Sequence, residues 1–494
     1  MSNRKRNVVF KTYFQNQIFL IPPTFDELVD ANHPVRTVSE VIDKLTLNPL
    51  LDTYKGGGTS SYHPRMLLKI LVYSYLSNIY SSRKIEAGLK ENIHMMWLAG
   101  MTKPDHNTIN RFRSERLKGI IKEVFAQVVM LLTESGHVGL QEVYTDGTKI
   151  ESAANRYTFV WGRAIKTNKE KMAAQLEELW NYTQSVAKEE LKDTAPIEYA
   201  SIDSEKVKQT VEKIEQALAG KKVDKKVKQK LGYVKKNFPA TLDKYSKQEQ
   251  ILSGRSSYSK TDPDATFMRM KEDHMRNGQL KPGYNLQISS SKQFILHYSL
   301  HQSSTDTNTL ISHLEQFNSL YKTFPKTLTA DAGYGSEENY EYLEKKQIEP
   351  FVKYNLFRKE QQERKTENKL IYNKENDVFV LPNGQIMNCI GTRKRRTATG
   401  YEQTLHKYQL LSEESNKIIE VNHNLERHKE LARQKLLSEQ GIKHCKQRAY
   451  DVEPVFAAIK HNRGFKRFHT KGLQKVEIET GLLSIAHNLK KMMA

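Results

Sequence analysis

Two short apolar runs, each closing on an acid followed by a glycine, constrain this chain most. Residues 143–145 are predicted to form a strand ending on Asp146-Gly147, and residues 327–330 a strand ending on Asp331-Ala332-Gly333. Between them, residues 284–288 and 294–300 read as two strands around a turn at 289–292, followed by a helix over about 306–317. A helix near 336–345 and a short strand at 350–354 follow the second acid. This order predicts a mixed α/β sheet. A helical insertion at about 163–252 interrupts it. There Val207, Val211, Ile214 and Leu218 recur at helical spacing, as do Val227, Leu231, Val234 and Phe238, which suits two amphipathic helices paired as a hairpin.

The flanks read differently. After an extended arm ending at Pro22-Pro23, residues 1–137 are predicted to be mostly helical, with Leu67, Leu71, Ile85 and Leu89 at helical spacing. Asp105 to Thr108 supplies capping chemistry for a helix carrying Arg111, Phe112 and Arg113. Short helices ending in a basic helix suit a helix-turn-helix-like DNA module, and equally a plain bundle with a solvated basic face. Residues 358–410 read as polar and irregular, 412–440 as one long helix stopped by Gly441, and 451–493 as helical again. The expected division is therefore 1–137, then 138–494 with insertions at about 163–252 and 358–440.

Charge selects the partner class. Lys and Arg exceed Asp and Glu by 21 in 494 residues, with 38% hydrophobic residues, enough for a sizeable core. Cations placed on phosphates release condensed counterions, so a nucleic acid is the leading partner. Membrane insertion is not expected, because the most apolar stretch, 66–76, is shorter than a span and contains Lys69. No signal-peptide block forms near the start. Two cysteines far apart, Cys389 and Cys445, exclude a disulfide framework and an all-cysteine zinc site, and a reducing cytoplasm fits best.

Three acids stand apart. Asp146 and Asp331 are expected to project from strand ends, and Glu453 to occupy the first turn of a helix capped by Asp451, where Pro454 is tolerated. Phosphodiester chemistry requires charge neutralised on the attacking and leaving oxygens, which two metal ions about 3.5 to 4 Å apart achieve. Mg²⁺ prefers hard carboxylate oxygens, so two Asp and one Glu form a suitable ligand set. Lys460, two helical turns after Glu453, is expected on the same side, placed to hold a phosphate. The plainer reading is that the two Asp simply terminate strands and Glu453 favours a helix dipole.

The blocks Tyr62-His63-Pro64, Ser82-Arg83-Lys84-Ile85-Glu86, Trp97-Leu98-Ala99-Gly100, Pro104-Asp105-His106 and Phe112-Arg113 are similar to the N-terminal domain of bacterial insertion-sequence transposases of the DDE class. Thr145-Asp146-Gly147-Thr148-Lys149, Asn155-Arg156-Tyr157, Ala330-Asp331-Ala332-Gly333-Tyr334 and Val452-Glu453-Pro454-Val455-Phe456 resemble the blocks that carry the catalytic acids of that class. Phe465-Lys466-Arg467-Phe468, Lys471-Gly472 and Asn488-Leu489 extend the agreement, which is closest to the family of insertion sequence 1182 within the insertion-sequence-4-like group. The resemblance implies an all-α N-terminal DNA-binding domain and an RNase H-like core with helical insertions. It implies cleavage at terminal inverted repeats and joining of the freed 3′-OH to target DNA, with Mg²⁺ as cofactor and Mn²⁺ tolerated. Asp146, Asp331 and Glu453 would be the catalytic metal ligands, and Lys460, Arg448, Lys149, Arg83, Arg111 and Arg113 the DNA contacts. Synapsis of two double-stranded element ends implies a homodimer.

Two departures accompany the resemblance. Arg448 lies five residues before Glu453, where the wider pattern places an arginine four before, at Ala449. Many relatives carry a cysteine cluster between the second Asp and the Glu, whereas this chain has Leu381-Pro382-Asn383-Gly384 and only Cys389, so that zinc knuckle is expected to be lost. The strand-like 378–380 and the basic run Arg393 to Arg396 remain there, the latter a candidate for backbone contact. Tyr157, Phe159 and Trp161 alternate as in a half-buried strand, or as bases' stacking partners. His63, His94 and His106 lack regular ligand spacing and are expected to cap or pack. No G-x-x-x-x-G-K motif is present. The alternatives are a hydrolytic RNase H-like nuclease and a silenced transposase kept as a DNA-binding regulator.

Overall fold

The structure, a computed structural model, describes residues 23–54, 60–187, 202–270, 278–363, 370–381, 384–410 and 418–494. Almost all of the predicted N-terminal arm lies outside them. Helices come first: α1 (Pro34–Asp43), α2 (Asn48–Leu51), α3 (Pro64–Leu76), α4 (Ser82–Glu91), α5 (Ile93–Leu98), α6 (His106–Arg111) and α7 (Ile121–Glu134). Local chemistry sets their starts. The His63 ring accepts from the Arg65 N–H, the Asn92 side chain from His94 and Met95, and Asp105 from Thr108. His94 stacks on His33 at 3.7 Å and His106 Nδ1 lies 2.7 Å from Glu86, so all three histidines cap or pack as expected.

The chain then lays down β1 (Glu142–Glu151), β2 (Phe159–Trp161), α8 (Gly162–Val186), α9 (Ser204–Ala217), α10 (Lys225–Leu252), β3 (Ser257–Ser259), β4 (Thr266–Arg269), β5 (Leu280–Ser291), β6 (Phe294–His301), α11 (Leu310–Tyr321), β7 (Thr327–Ala330), α12 (Glu337–Lys345) and β8 (Glu349–Val352). β4, β5, β1, β7 and β8 are neighbours in that order, and β6 shares an edge of β5. β1 is parallel to β7 and β7 to β8, whereas β5 runs antiparallel to β1, β4 and β6. The sheet is therefore mixed, as the element order predicts. Lys292 and Gln293, both with positive φ, form the two-residue turn from β5 to β6, the geometry whose twist suits a hairpin. In the insertion, Val207, Val211 and Ile214 of α9 bury against Leu231, Val234 and Phe238 of α10, with Leu176 and Trp180 of α8. The predicted helical pairing is present.

After α13 (Phe357–Glu363), a second sheet departs from expectation. Residues predicted to be irregular apart from the strand-like 378–380 form β9 (Ile371–Asn373), β10 (Val378–Val380), β11 (Ile386–Arg396) and β12 (Glu402–Leu410), and β13 (Ile418–Val421) replaces the start of the helix expected over 412–440; the five are an antiparallel meander in chain order. The long helix expected to stop at Gly441 is α14 (His423–Leu437), and α15 (Glu439–Ala457) begins where it ends. Gly441 is in the first turn of α15, donating its N–H to Ser438 Oγ. A Cβ there would sit 2.0 Å from the Lys435 carbonyl oxygen, so glycine permits the tight approach of the two helices.

α16 (Leu473–Met492) closes the fold. It is buried on nearly every side from Val476 to Leu489 and packs on α3, α7 and β6. One hydrophobic core consequently runs from Val29 through the sheet to Leu489. Glu479, fully buried on α16, accepts from the Tyr75 hydroxyl and from the N–H groups of His469 and Thr470, tying the first helices to the last.

Candidate active site

β1 runs past the point where it was expected to stop, because β5 continues to pair with it through Glu151. β7 pairs only with residues 142–145, with Thr145 beside Ala330. Asp146 and Asp331 are therefore the next residues on adjacent parallel strands. Asp331 turns away at once, its carboxylate accepting from the Gly333 N–H at 2.8 Å. Asp146 is almost buried and accepts from the Gly147 N–H at 2.7 Å.

Glu453 arrives on α15, in its last turns rather than its first. Asp451, read as a helix cap, is buried within the helix and accepts from Ser290 Oγ at 2.6 Å and the Gln293 N–H at 3.2 Å. Burial pushes its carboxyl up. Pro454 is tolerated for a different reason from the one expected. Its missing N–H would have met the Tyr450 carbonyl, and that carbonyl accepts instead from Gln293 Nε2 at 3.0 Å.

Arg448 joins the strand acid to the helix acid. Its Nη1 lies 3.3 Å from Asp146 Oδ2 and its Nη2 3.4 Å from Glu453 Oε1. Arg448, five residues before Glu453 rather than four, thus reaches both carboxylates through its long side chain.

A fourth acid, which sequence reasoning missed, completes the group. Asp306 Oδ1 accepts from Asn285 Nδ2 at 2.7 Å and Gln287 Nε2 at 3.0 Å, both on β5. A Cβ on Gly147 would lie 2.7 Å from that same oxygen, so glycine on β1 leaves room for Asp306. Tyr334 reports how close the acids are. Burial first, then the charges of Asp306, Asp146 and Asp331, push its phenol well up, with Arg448 opposing, and its hydroxyl donates to Gln287 Oε1. Asp306 lies in a Ser/Thr/Asn-rich loop without periodicity, and its amide partners are some 20 residues upstream. The loop carries no local signal for it.

The expected cations are placed unevenly. Arg83 on α4 and Arg111 on α6 are exposed, and Lys149 is half-buried on β1, on the opposite pleat from Asp146. Arg113, expected to face DNA, is buried and donates to the Tyr80 carbonyl at 2.8 Å and Asn110 Oδ1 at 3.2 Å. It packs the helices together instead. Lys460 is only 7% exposed while the Glu453 side chain is 56% exposed. A π-helical segment, Ala458–Asn462, carries Lys460 and interrupts the regular 3.6 periodicity on which its expected placement rested. Tyr157 is exposed, and Phe159, though partly exposed, packs edge-on against Trp161 and Phe267, with Trp161 tilted on Phe267.

Blocks around the site have structural partners. Glu151 is clamped by Arg156, with N···O distances of 2.5 and 2.8 Å, and Arg467 donates to the Ser152 and Ala154 carbonyls. Buried Asp262 accepts from Ser152, Tyr284 and the Gly472 N–H.

Oxygen donors on adjacent strands of a mixed sheet, met by a helix acid, form a ligand set of the hard-oxygen kind that divalent cations prefer. Residues 23–115 match the family described as Transposase domain (DUF772), and residues 255–489 match Transposase DDE domain. These matches support an insertion-sequence DDE transposase, an enzyme class that acts on DNA and uses divalent metal ions. Asp331 and Glu453 fall inside the second match, whereas Asp146 precedes it. No curated protein matches the chain. Among the described residues, no helix is long and apolar enough to cross a membrane.

Proposed function

We propose that this chain is a transposase with an RNase H-like core that cleaves DNA at an element's terminal inverted repeats and transfers the 3′-OH end into target DNA. The observation that carries the reading is the convergence of Asp146, Asp331 and Glu453, with Arg448 spanning the first and last. The donor set is all hard oxygen, and a guanidinium already supplies positive charge between two of the acids, so the residues fit divalent cations of the Mg²⁺ or Mn²⁺ kind. Asp146, Asp331 and Glu453 would hold them, and bound cations supply charge neutralisation on the attacking and leaving oxygens.

The chain's own residues do the rest. Gln287, Asn285 and Tyr334 fix Asp306 behind the site, and Gly333 fixes the Asp331 carboxylate. Arg448 holds Glu453 toward the sheet before substrate enters. Arg83, Arg111 and Lys149 offer charge to DNA phosphates, first for water attack and then for attack by the 3′-OH. A homodimer brings two ends together.

The test is incubation of the purified chain with donor-end DNA, target plasmid and Mg²⁺. Joined products in the wild type and none with Asp146→Ala support the reading. Equal cleavage by the two proteins sinks the catalytic assignment, and cleavage without joining identifies a hydrolytic nuclease.

A further inference from the structure

We propose that the second sheet holds a zinc-class metal ion on Asp377, Cys389 and His406. One donor atom from each lies within 4.8 Å of the others. The register explains the meeting. Cys389 faces Tyr408 across β11 and β12, so His406, two residues from Tyr408, projects on the same face. On the other side Val378 faces Asn388, which brings Asp377 beside Cys389. The register shift between Cys389 and Gly391 falls at this point, and Asp377 adopts a positive φ of 49° at the turn into β10. Bulges and left-handed residues aim side chains out of the regular ladder.

The surroundings fit a metal centre. Asp377 Oδ1 accepts from the Tyr372 hydroxyl at 2.9 Å and from the Tyr408 hydroxyl, which fix the carboxylate in place. Tyr408 also meets His423 Nε2 at 2.6 Å, and the His423 and His406 ring centroids are 4.7 Å apart. Thiolate, imidazole and carboxylate together suit zinc and exclude Mg²⁺, which takes oxygen alone. Tetrahedral coordination draws the three donors inward, with water in the fourth position and His423 and Tyr408 behind the ligands. Binding displaces the Cys389 proton to solvent.

Physical need points the same way. Among the described residues this sheet buries four apolar side chains, Phe379, Met387, Tyr408 and Leu410, with Leu381, Cys389, Ile419 and Val421 partly buried against them, a small core for five strands. An ion on Asp377, Cys389 and His406 fastens β10, β11 and β12 in one step. The ligands are not a cysteine cluster, and none of them contributes to the acid site on the first sheet.

The experiment titrates the full-length apo chain with Co²⁺ and Zn²⁺ in excess Mg²⁺, reading thiolate-to-cobalt charge-transfer absorption and bound zinc after dialysis. One tightly held ion is expected, with the band lost in Cys389→Ser, kept in Cys445→Ser and in Asp146→Ala, and affinity weakened about 10-fold or more in Tyr408→Phe. Circular dichroism confirms that each variant is folded. No charge-transfer band, a band that survives Cys389→Ser, or equal zinc retention in wild type and His406→Gln overturns the site.

Discussion

The two sheets of this protein solve the positioning problem in opposite ways. The first lies inside a continuous core, with Leu328, Ile288, Leu286 and Phe351 almost wholly buried, so the acids on its strands inherit their places from packing. The second exposes most of β11, and its basic run pairs at the surface, Lys394 to Glu402 at 2.7 Å and Arg393 to Glu420 at 3.7 Å. Exposed pairs of that kind contribute about 0 to 1 kcal/mol each. A chemistry-bearing cluster can therefore stand on a rigid interior or on a few polar contacts, and the two should fail differently.

Truncation breaks the comparison most sharply. Leu328→Ala, in the centre of β7, is expected to cost about 2 to 5 kcal/mol of global stability and to displace Asp331. Phe379→Ala should open the second sheet while the main transition stays in place. Chemical denaturation followed alongside hydrogen exchange separates these outcomes. A single transition lowered equally by both changes would mean that the sheets unfold as one unit.

Acid comes next. Burial holds His487 at about 4, its Nε2 facing the Gln293 carbonyl at 2.9 Å, and burial likewise holds His301 at about 4. A histidine depressed in the folded state binds fewer protons there than in the unfolded chain between about pH 4 and 6.5. Stability therefore falls as pH drops through that window, by up to about 3 kcal/mol for His487. His487→Gln should flatten this part of the profile. A slope identical to wild type would remove His487 as its source.

How much of this was readable beforehand follows the same division. β7 was legible at its observed bounds, and the β5–β6 hairpin nearly so, because apolar runs flanked by turn residues mark buried strands. The α9 and α10 faces were legible from spacing. In the second sheet β10 was legible as a strand, whereas β9, β11, β12 and β13 were not, since a sheet with few buried side chains leaves little apolar alternation. Asp451 and Pro454 imitated a helix start because their partners, Ser290 and Gln293, are more than 150 residues away. Asp146 and Glu453 could be grouped by chemistry alone, but Arg448 spanning them needed the relative placement of β1 and α15. Asp306 depended on the β5 amides in the same way.

The join between the regions gives a smaller effect. Gly441→Ala places a methyl against the Lys435 carbonyl at the α14–α15 break, and about 1 to 3 kcal/mol of destabilisation is expected. Because α15 carries Arg448 and Glu453, cleavage should fall with it. A variant with wild-type melting would show that the helices can separate without cost.

Arg448→Ala sharpens the contrast through the smallest readout, a difference between two metal-induced shifts. The guanidinium lies between an almost buried carboxylate and a mostly exposed one, at 3.3 and 3.4 Å, so the stability cost of its removal comes from the Asp146 side. What it leaves is a set of acids without that counter-charge, and a divalent cation then has more repulsion to relieve. Mg²⁺ should raise the melting temperature of Arg448→Ala by more than it raises that of wild type, while Zn²⁺ bound at Cys389 protects the second sheet alike in both. Equal Mg²⁺ shifts in the two proteins would mean that Arg448 and the cation do not share the carboxylates of Asp146 and Glu453.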